Sequence, residues 1–424
     1  MPAPFLLFNW LTRDGKLILA ARMIRAFSYG FLSIVLAIYL KLIGFNDVLI
    51  GFVLTTTLIN SVIFTLFASF YADRIGRRKI LIIYAALMSV SGAIFLITEN
   101  YIVLIIAALI GTINVTGTET GAFLSIEQAM LPQTLKDIKK RNTVFAFYNM
   151  AGTFAMSAGI LLSGLPRYLQ QYYGFTQVES IKPLFLLYSA AGIAVIVIYF
   201  FLSKKIEIKQ VIEESKKLHT SKILTVSPES KLIVTKLAGL FAVDSFAGGF
   251  VIQSIISFWF FTKFGTDLSS LSFVFSIAGV LTAFSFIAAS KISDKIGLIN
   301  TMVFTHIPSN ILLILVAFAP TFPLAIAFYL ARMALSQMDV PTRQSYIVAV
   351  VREEERTAAA GITNTSRYIA QAISPSITGM IIQSLSISSP FIIGGLLKIA
   401  YDIAIYVNFR KIKPPEEKEE QSKK

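Results

Sequence analysis

Apolar runs of 18 or more residues recur along almost the whole chain, and each is long enough to cross a bilayer. In hydrocarbon every backbone polar group must be satisfied within the segment, which leaves helices as the structure such runs can adopt. Composition agrees. Hydrophobic residues make up 55% of the 424 and charged residues 15%, against about 25% charged in a soluble domain. Mean hydropathy is +0.71. These values exclude a soluble enzyme. The chain has no Cys, which removes disulfides and thiolate metal sites.

The formal net charge is +14. The basic residues lie in the loops between apolar runs, so the charge does not point to nucleic acid. The N-terminus lacks the charged region, short apolar stretch and small-residue cleavage site of a signal peptide. The first span is expected to act as signal anchor.

Twelve spans are predicted, at about 17–40, 48–71, 79–98, 101–126, 143–165, 183–203, 232–260, 268–290, 298–319, 322–345, 358–385 and 390–409. With a cytoplasmic N-terminus, the inner segments carry 28 Lys and Arg and the outer loops 4. That asymmetry follows the positive-inside rule and puts both termini in the cytoplasm of a plasma-membrane protein. Residues 204–231 hold seven Lys and four Glu without an apolar run, the composition of a solvated linker. The expected organisation is a six-helix half over 1–203, the basic linker 204–231, a second six-helix half over 232–409 and a disordered tail over 410–424.

The two halves repeat one another. FASFYADRIG at 67–76 matches AASKISDKIG at 288–297. Phe27, Gly30 and Phe31 match Phe246, Gly249 and Phe250; Glu119 falls opposite Asp339; Arg141, Asn149, Ser163 and Gly164 match Arg356, Asn364, Thr378 and Gly379. Ordered matches of this kind are the layout of a 6+6 secondary transporter.

The loop Asp73-Arg74-Ile75-Gly76-Arg77-Arg78-Lys79 resembles the signature loop of the major facilitator superfamily. The degenerate second copy keeps Asp294, Lys295 and Gly297. The segment 338–346 is similar to that of prokaryotic permeases grouped with drug exporters. The resemblance implies an all-α membrane protein of twelve helices in two six-helix repeats, with helices 1, 4, 7 and 10 around a central cavity. It also implies a cytoplasmic latch in which Asp73 accepts from helix N-terminal amides while Arg74, Arg77 and Arg78 meet acids or helix C-termini across the two halves. The alternative is topological, Arg and Lys simply keeping a short loop inside.

A charge at mid-membrane costs at least about 2.5–3.5 kcal/mol on insertion scales and needs a partner or a wet cavity. The candidates are Arg22 and Arg25 in helix 1, Glu119 in helix 4, Asp244 in helix 7, Arg332 and Asp339 in helix 10 and Arg367 in helix 11. Asp244 occupies the position of Arg25 in the repeat. Asp244, Glu119 or Asp339 is expected to exchange a proton as an Arg moves toward or away from it; the alternative is permanent ion pairing. Asn364, Arg367 and Gln371 share one face of helix 11, and Pro341 is expected to kink helix 10. Lys398 and Asp402, spaced i and i+4, read as a mutually neutralising pair. His306 reads as a packed, hydrogen-bonded residue, and Glu127 with Gln128 as gate or solvated residues at the inner end of helix 4.

No GxxxxGK[ST] loop, G-x-S-x-G elbow or H-E-x-x-H motif occurs, so neither ATP nor a hydrolase reaction is indicated, and no cofactor or metal is expected. The expected function is alternating-access transport of a small molecule by a monomer, with proton-coupled export leading. Metabolite uptake, metal-ion export and a non-transporting receptor are the alternatives.

Overall fold

The computed structural model describes residues 11–117, 121–134, 141–203, 206, 227–352 and 355–412. Glu119, most of the linker and residues 413–424 lie outside them. Among the described residues the chain forms sixteen α-helices and no strand. By contacts it divides into two compact units, Met1–Lys209 with Ile252–Ser276, and Gln210–Val251 with Ile277–Lys424.

The first unit contains α1 (Arg13–Leu42), α2 (Asp47–Ile75), α3 (Arg77–Ile97), α4 (Tyr101–Ile110), α5 (Ala122–Met130), α6 (Arg141–Leu162), α7 (Leu165–Tyr173), α8 (Gln177–Phe200) and α10 (Gln253–Phe264). The second contains α9 (Pro228–Gly249), α12 (Leu298–Phe318), α13 (Phe322–Leu335), α14 (Asp339–Ala349), α15 (Arg356–Ser384) and α16 (Ser389–Phe409). Helix α11 (Leu268–Ile296) runs through the boundary at Ser276. Eight helical stretches among the described residues are long and apolar enough to span a membrane. The other four expected spans are α6, α15 and two interrupted helices.

Three predicted continuous spans are broken. The fourth stops at Ile110 and resumes at Ala122. Asn114 Oδ1 accepts from the backbone N–H of Thr116 at 3.0 Å, an Asx turn that competes with the helix. The Val115 carbonyl, left without a helical partner, accepts from the Ser254 N–H of α10 at 3.3 Å, so the irregular backbone is satisfied inside protein. The seventh span breaks at 250–252. The tenth stops at Leu335 and restarts at Asp339. Pro341 then falls in the first turn of α14, where a missing N–H costs nothing; the expected kink is a full stop upstream of it. The short α7 was not foreseen. Pro166 opens it and Gly174 (φ +70°) closes it.

The repeat is visible in how each unit packs its first helix on its fifth. In the first unit α1 meets α6, where Gly159 lies against the backbone carbonyl of Phe27. In the second α9 meets α15, where the Ser374 hydroxyl donates to the Phe246 carbonyl at 2.6 Å. Phe27 and Phe246 are repeat partners, and the register that pairs Arg141 with Arg356 also pairs Gly159 with Ser374. Small residues at these positions let the helix backbones approach. The connection between the second and third helices is also shared. Gly76 (φ +109°) and Gly297 (φ +87°) each join two helices with backbone that a side chain would strain.

Candidate functional site

Two buried ionic clusters form, one in each unit. In the first, Arg25 of α1 reaches Glu127 of α5 through both ends of its guanidinium, at 2.9 and 2.6 Å. Both side chains are fully enclosed. Tyr148 of α6 and Tyr199 of α8 donate to the same carboxylate at 2.5 and 2.7 Å, and Arg25 also donates to the Tyr199 hydroxyl. The ring of Phe123 lies under the guanidinium at 4.3 Å. A bidentate pair with added hydroxyl donors is the geometry that offsets the desolvation of both charges. Glu127 is therefore buried rather than solvated. Its signal in the sequence is a lone carboxylate within the apolar stretch 122–131. Arg22 stacks on Tyr148 at 4.8 Å and lies against Gly152, where a side chain would collide with it.

The second cluster centres on Asp244 of α9. Lys398 of α16 donates to Asp244 Oδ1 at 2.5 Å, and Arg343 of α14 to Oδ2 at 3.4 Å. Arg343 also holds Asp339, four residues back on α14, at 2.5 Å. His306 of α12 places Nδ1 2.8 Å from Asp402 Oδ1 and Nε2 4.0 Å from Asp244 Oδ1. Asn310 donates to the other oxygen of Asp402 at 3.0 Å. The expected Lys398–Asp402 pair does not form. Each residue is drawn to another helix, because a buried charge gains more from a partner across the core than from a neighbour on its own surface. His306 is packed and hydrogen-bonded, as its position implied.

Of the remaining candidates, Arg332 and Arg367 are in the second unit but hydrogen-bond no carboxylate among the described residues. Arg332 is buried, its hydrogen-bond contact being the Met333 thioether at 3.5 Å. Among the described residues the Nε atoms of both arginines have no hydrogen-bond partner.

The signature loop joins α2 to α3 beside the end of α8. Arg78 donates to the carbonyl of Phe200, the last residue of α8, and lies 5.1 Å over its ring. The contact lies within one unit, whereas the resemblance implied one across the two halves. Arg74 is exposed and Arg77 is buried. Asp73 and Asp294 lie in the last turns of α2 and α11; their side chains lie outside what the structure describes. No cluster of three or more His, Asp or Glu suited to a metal occurs among the described residues.

Comparison with known proteins agrees with this architecture. The chain is 28% identical over 433 residues to the uncharacterized membrane protein YJR124C of Saccharomyces cerevisiae, covering 96% of each. The crystal structure of a point mutant of the nucleoside transporter NupG superposes with a TM-score of 0.74 at 12% identity, over 94% of this chain and 100% of that one. A D-xylose–proton symporter superposes with a TM-score of 0.71 at 15% identity, over 92% and 97%. At such identities the likeness is one of fold. A family model matches residues 18–339 and, overlapping, 307–424, so the chain belongs to the Major Facilitator Superfamily and is a membrane transporter rather than an enzyme.

Proposed function

We propose that this protein is a secondary transporter that moves a small organic solute by alternating access in exchange for protons, in the direction of export. The observation that carries the proton reading is the enclosure of Asp244 by Lys398 and Arg343, with His306 between it and Asp402. These side chains come from α9, α14, α16 and α12. A proton on Asp244 cancels the charge that holds Lys398 and Arg343, so proton occupancy and helix arrangement are linked. Both ring nitrogens of His306 face carboxylates, Nδ1 toward Asp402 and Nε2 toward Asp244. Lys398 and Tyr401 on α16, Arg343 and Asp339 on α14, Arg332 on α13 and Arg367 on α15 complete its charged surroundings.

Asp339 serves as the anchor for Arg343, and Glu119 is its repeat partner in the first unit. The doubly bridged Arg25–Glu127 pair is a structural clamp. Arg22 is the cavity residue of the first unit. The signature loop acts as the latch of one conformational state, with Asp73, Arg74 and Arg77 as its further members. Export rests on the similarity of residues 338–346 to exporter-like permeases. Cytoplasmic termini in the plasma membrane rest on the loop charge asymmetry, and the protein works as a monomer.

The test is flux in proteoliposomes that carry an internal pH dye and a solute panel. Solute-dependent proton movement that disappears in Asp244→Asn and shifts in pH profile in His306→Gln is expected. Solute flux that ignores the pH gradient and survives Asp244→Asn overturns the proton reading. Solute binding without flux identifies a receptor. Oriented vesicles report the direction.

A further inference from the structure

Asp402 is bound through both of its oxygens by α12. His306 Nδ1 stands 2.8 Å from Oδ1, and Asn310, one turn later on the same helix, donates to Oδ2 at 3.0 Å. All three side chains are buried. An ionised carboxylate only accepts hydrogen bonds, so Nδ1 is the ring nitrogen of His306 that carries the hydrogen. The same reasoning orients the amide of Asn310, whose oxygen would repel Asp402 if the group were turned over. Packing holds the ring as well. Tyr401, the residue before Asp402 on α16, meets it edge to face at 6.2 Å and 84°.

A neutral imidazole has one N–H. With that hydrogen given to Asp402, the lone pair of Nε2 is left facing Asp244 Oδ1, 4.0 Å away. Lys398 fills Oδ1 at 2.5 Å in this arrangement. Toward an ionised Asp244 the bare nitrogen has nothing to offer, since neither atom carries a hydrogen. A protonated Asp244 no longer holds Lys398, and Oδ1 and Nε2 then become a donor and an acceptor. Pro308 lies inside α12 between His306 and Asn310. Its missing N–H removes one backbone bond from this turn, which leaves the helix freer to bring Nε2 within the about 2.6–3.2 Å that proton transfer needs. The titratable groups at this place are Asp244 on α9, Lys398, Tyr401 and Asp402 on α16, and Asp339 and Arg343 on α14. Arg332 on α13 and Arg367 on α15 act on Asp244 through space.

We propose that Asp402 and Asn310 are positioning residues that make His306 the base receiving the proton from Asp244. This rests on the proton-exchange reading and adds the next group in the path of the proton. In the step, the Oδ1–H bond of Asp244 breaks, an Nε2–H bond forms, and the electron pair of the broken bond stays on the carboxylate. The resulting imidazolium donates from Nδ1 to Asp402 and from Nε2 to Asp244. Asp402 sets the tautomer beforehand and stabilises the imidazolium afterwards, and Asn310 keeps Asp402 aimed at Nδ1. Asp244, ionised again, recovers Lys398 while the proton is still in the cluster. Resetting of the helices and release of the proton thereby become separate steps.

The experiment uses the purified full-length protein with isotope-labelled histidine. The chain holds two histidines, and His219→Gln assigns their signals. Ring-nitrogen NMR shifts distinguish the Nδ1–H tautomer, the Nε2–H tautomer and the imidazolium. At a pH where the ring is neutral, His306 is expected as the Nδ1–H tautomer; an Nε2–H ring in the unaltered site overturns the proposal without recourse to any further variant. In Asp402→Asn the Asn310 donor holds the new carbonyl oxygen, which turns the new NH2 group toward Nδ1, so the ring is expected to switch to Nε2–H. Asn310→Ala added to it frees that amide and should bring back part of the Nδ1–H signal; no return shows that Asn310 does not orient residue 402 and overturns its role. In proteoliposomes Asp402→Asn is expected to slow solute-driven proton movement at least about tenfold and to shift its pH profile as His306→Gln does. The double variant should be no worse than either single one, because both act on one step. Proton movement untouched by Asp402→Asn, or additive losses, overturns the relay. Wild-type solute flux that ignores the pH gradient overturns the proton-exchange reading and the relay with it; the NMR result, read without transport, tells that failure from a misplaced tautomer.

Discussion

Lys398 and Asp402 stand one turn apart on α16, yet Lys398 bonds Asp244 at 2.5 Å while Asp402 bonds His306 at 2.8 Å. The helix thus ties α9 with one charge and α12 with the other. Removing one partner of a buried pair leaves an uncompensated charge and costs about 3–5 kcal/mol. Asp244→Asn is therefore expected to destabilise the protein strongly. Lys398→Met added to it should restore much of the loss, because no buried charge is then orphaned. A double-mutant cycle on thermal unfolding in detergent measures the coupling; additive losses would show that the pair contributes nothing of its own.

The Arg25–Glu127 clamp should behave differently. Glu127→Gln keeps the shape but removes the charge that Arg25, Tyr148 and Tyr199 share. A loss of about 3–5 kcal/mol is expected here too, with the pH dependence of any remaining flux unchanged. A shifted pH profile would move Glu127 from the clamp into the proton path.

Gly297 sits at φ +87° and ψ +164°, a region that is essentially glycine-only. Gly297→Ala should cost about 1–3 kcal/mol, and Gly76→Ala, at φ +109°, a similar amount. The melting temperatures of the two variants check this. A neutral effect at both would mean the helix-joining loops relax freely.

Glu355, ahead of α15, receives the Ser227 N–H at 2.6 Å. Its carboxyl is held down to about 2, first by the Ser230 hydroxyl and then by Ser227. A carboxyl depressed on folding stabilises above its unfolded value of about 4.3 and loses that contribution as pH falls toward the folded value. Glu355→Gln should therefore lower stability at pH 7 and flatten the acid limb between pH 4 and 2, read as melting temperature against pH. An unchanged acid limb would show that the Ser227–Glu355 link is not formed.

The sequence alone determined the all-helical membrane fold and the repeat. Length of apolar run and the need to satisfy backbone groups leave no other structure, and a duplicated motif such as Asp73-to-Gly76 with Asp294-to-Gly297 survives in one dimension. It also showed charged residues inside the apolar runs. Tertiary structure decided how they pair. Glu127 stands in the sequence as an ordinary helix-end acid, and only the approach of α1, α6 and α8 makes it the partner of Arg25. The i, i+4 spacing of Lys398 and Asp402 suggests a mutual pair, but Asp244 and His306, 154 and 96 residues distant, are nearer in space. The breaks after Ile110 and Leu335 were hidden for the same reason. Hydropathy measures how willingly a residue leaves water, whereas a helix stop and a buried ion pair depend on which groups another segment brings within bonding distance.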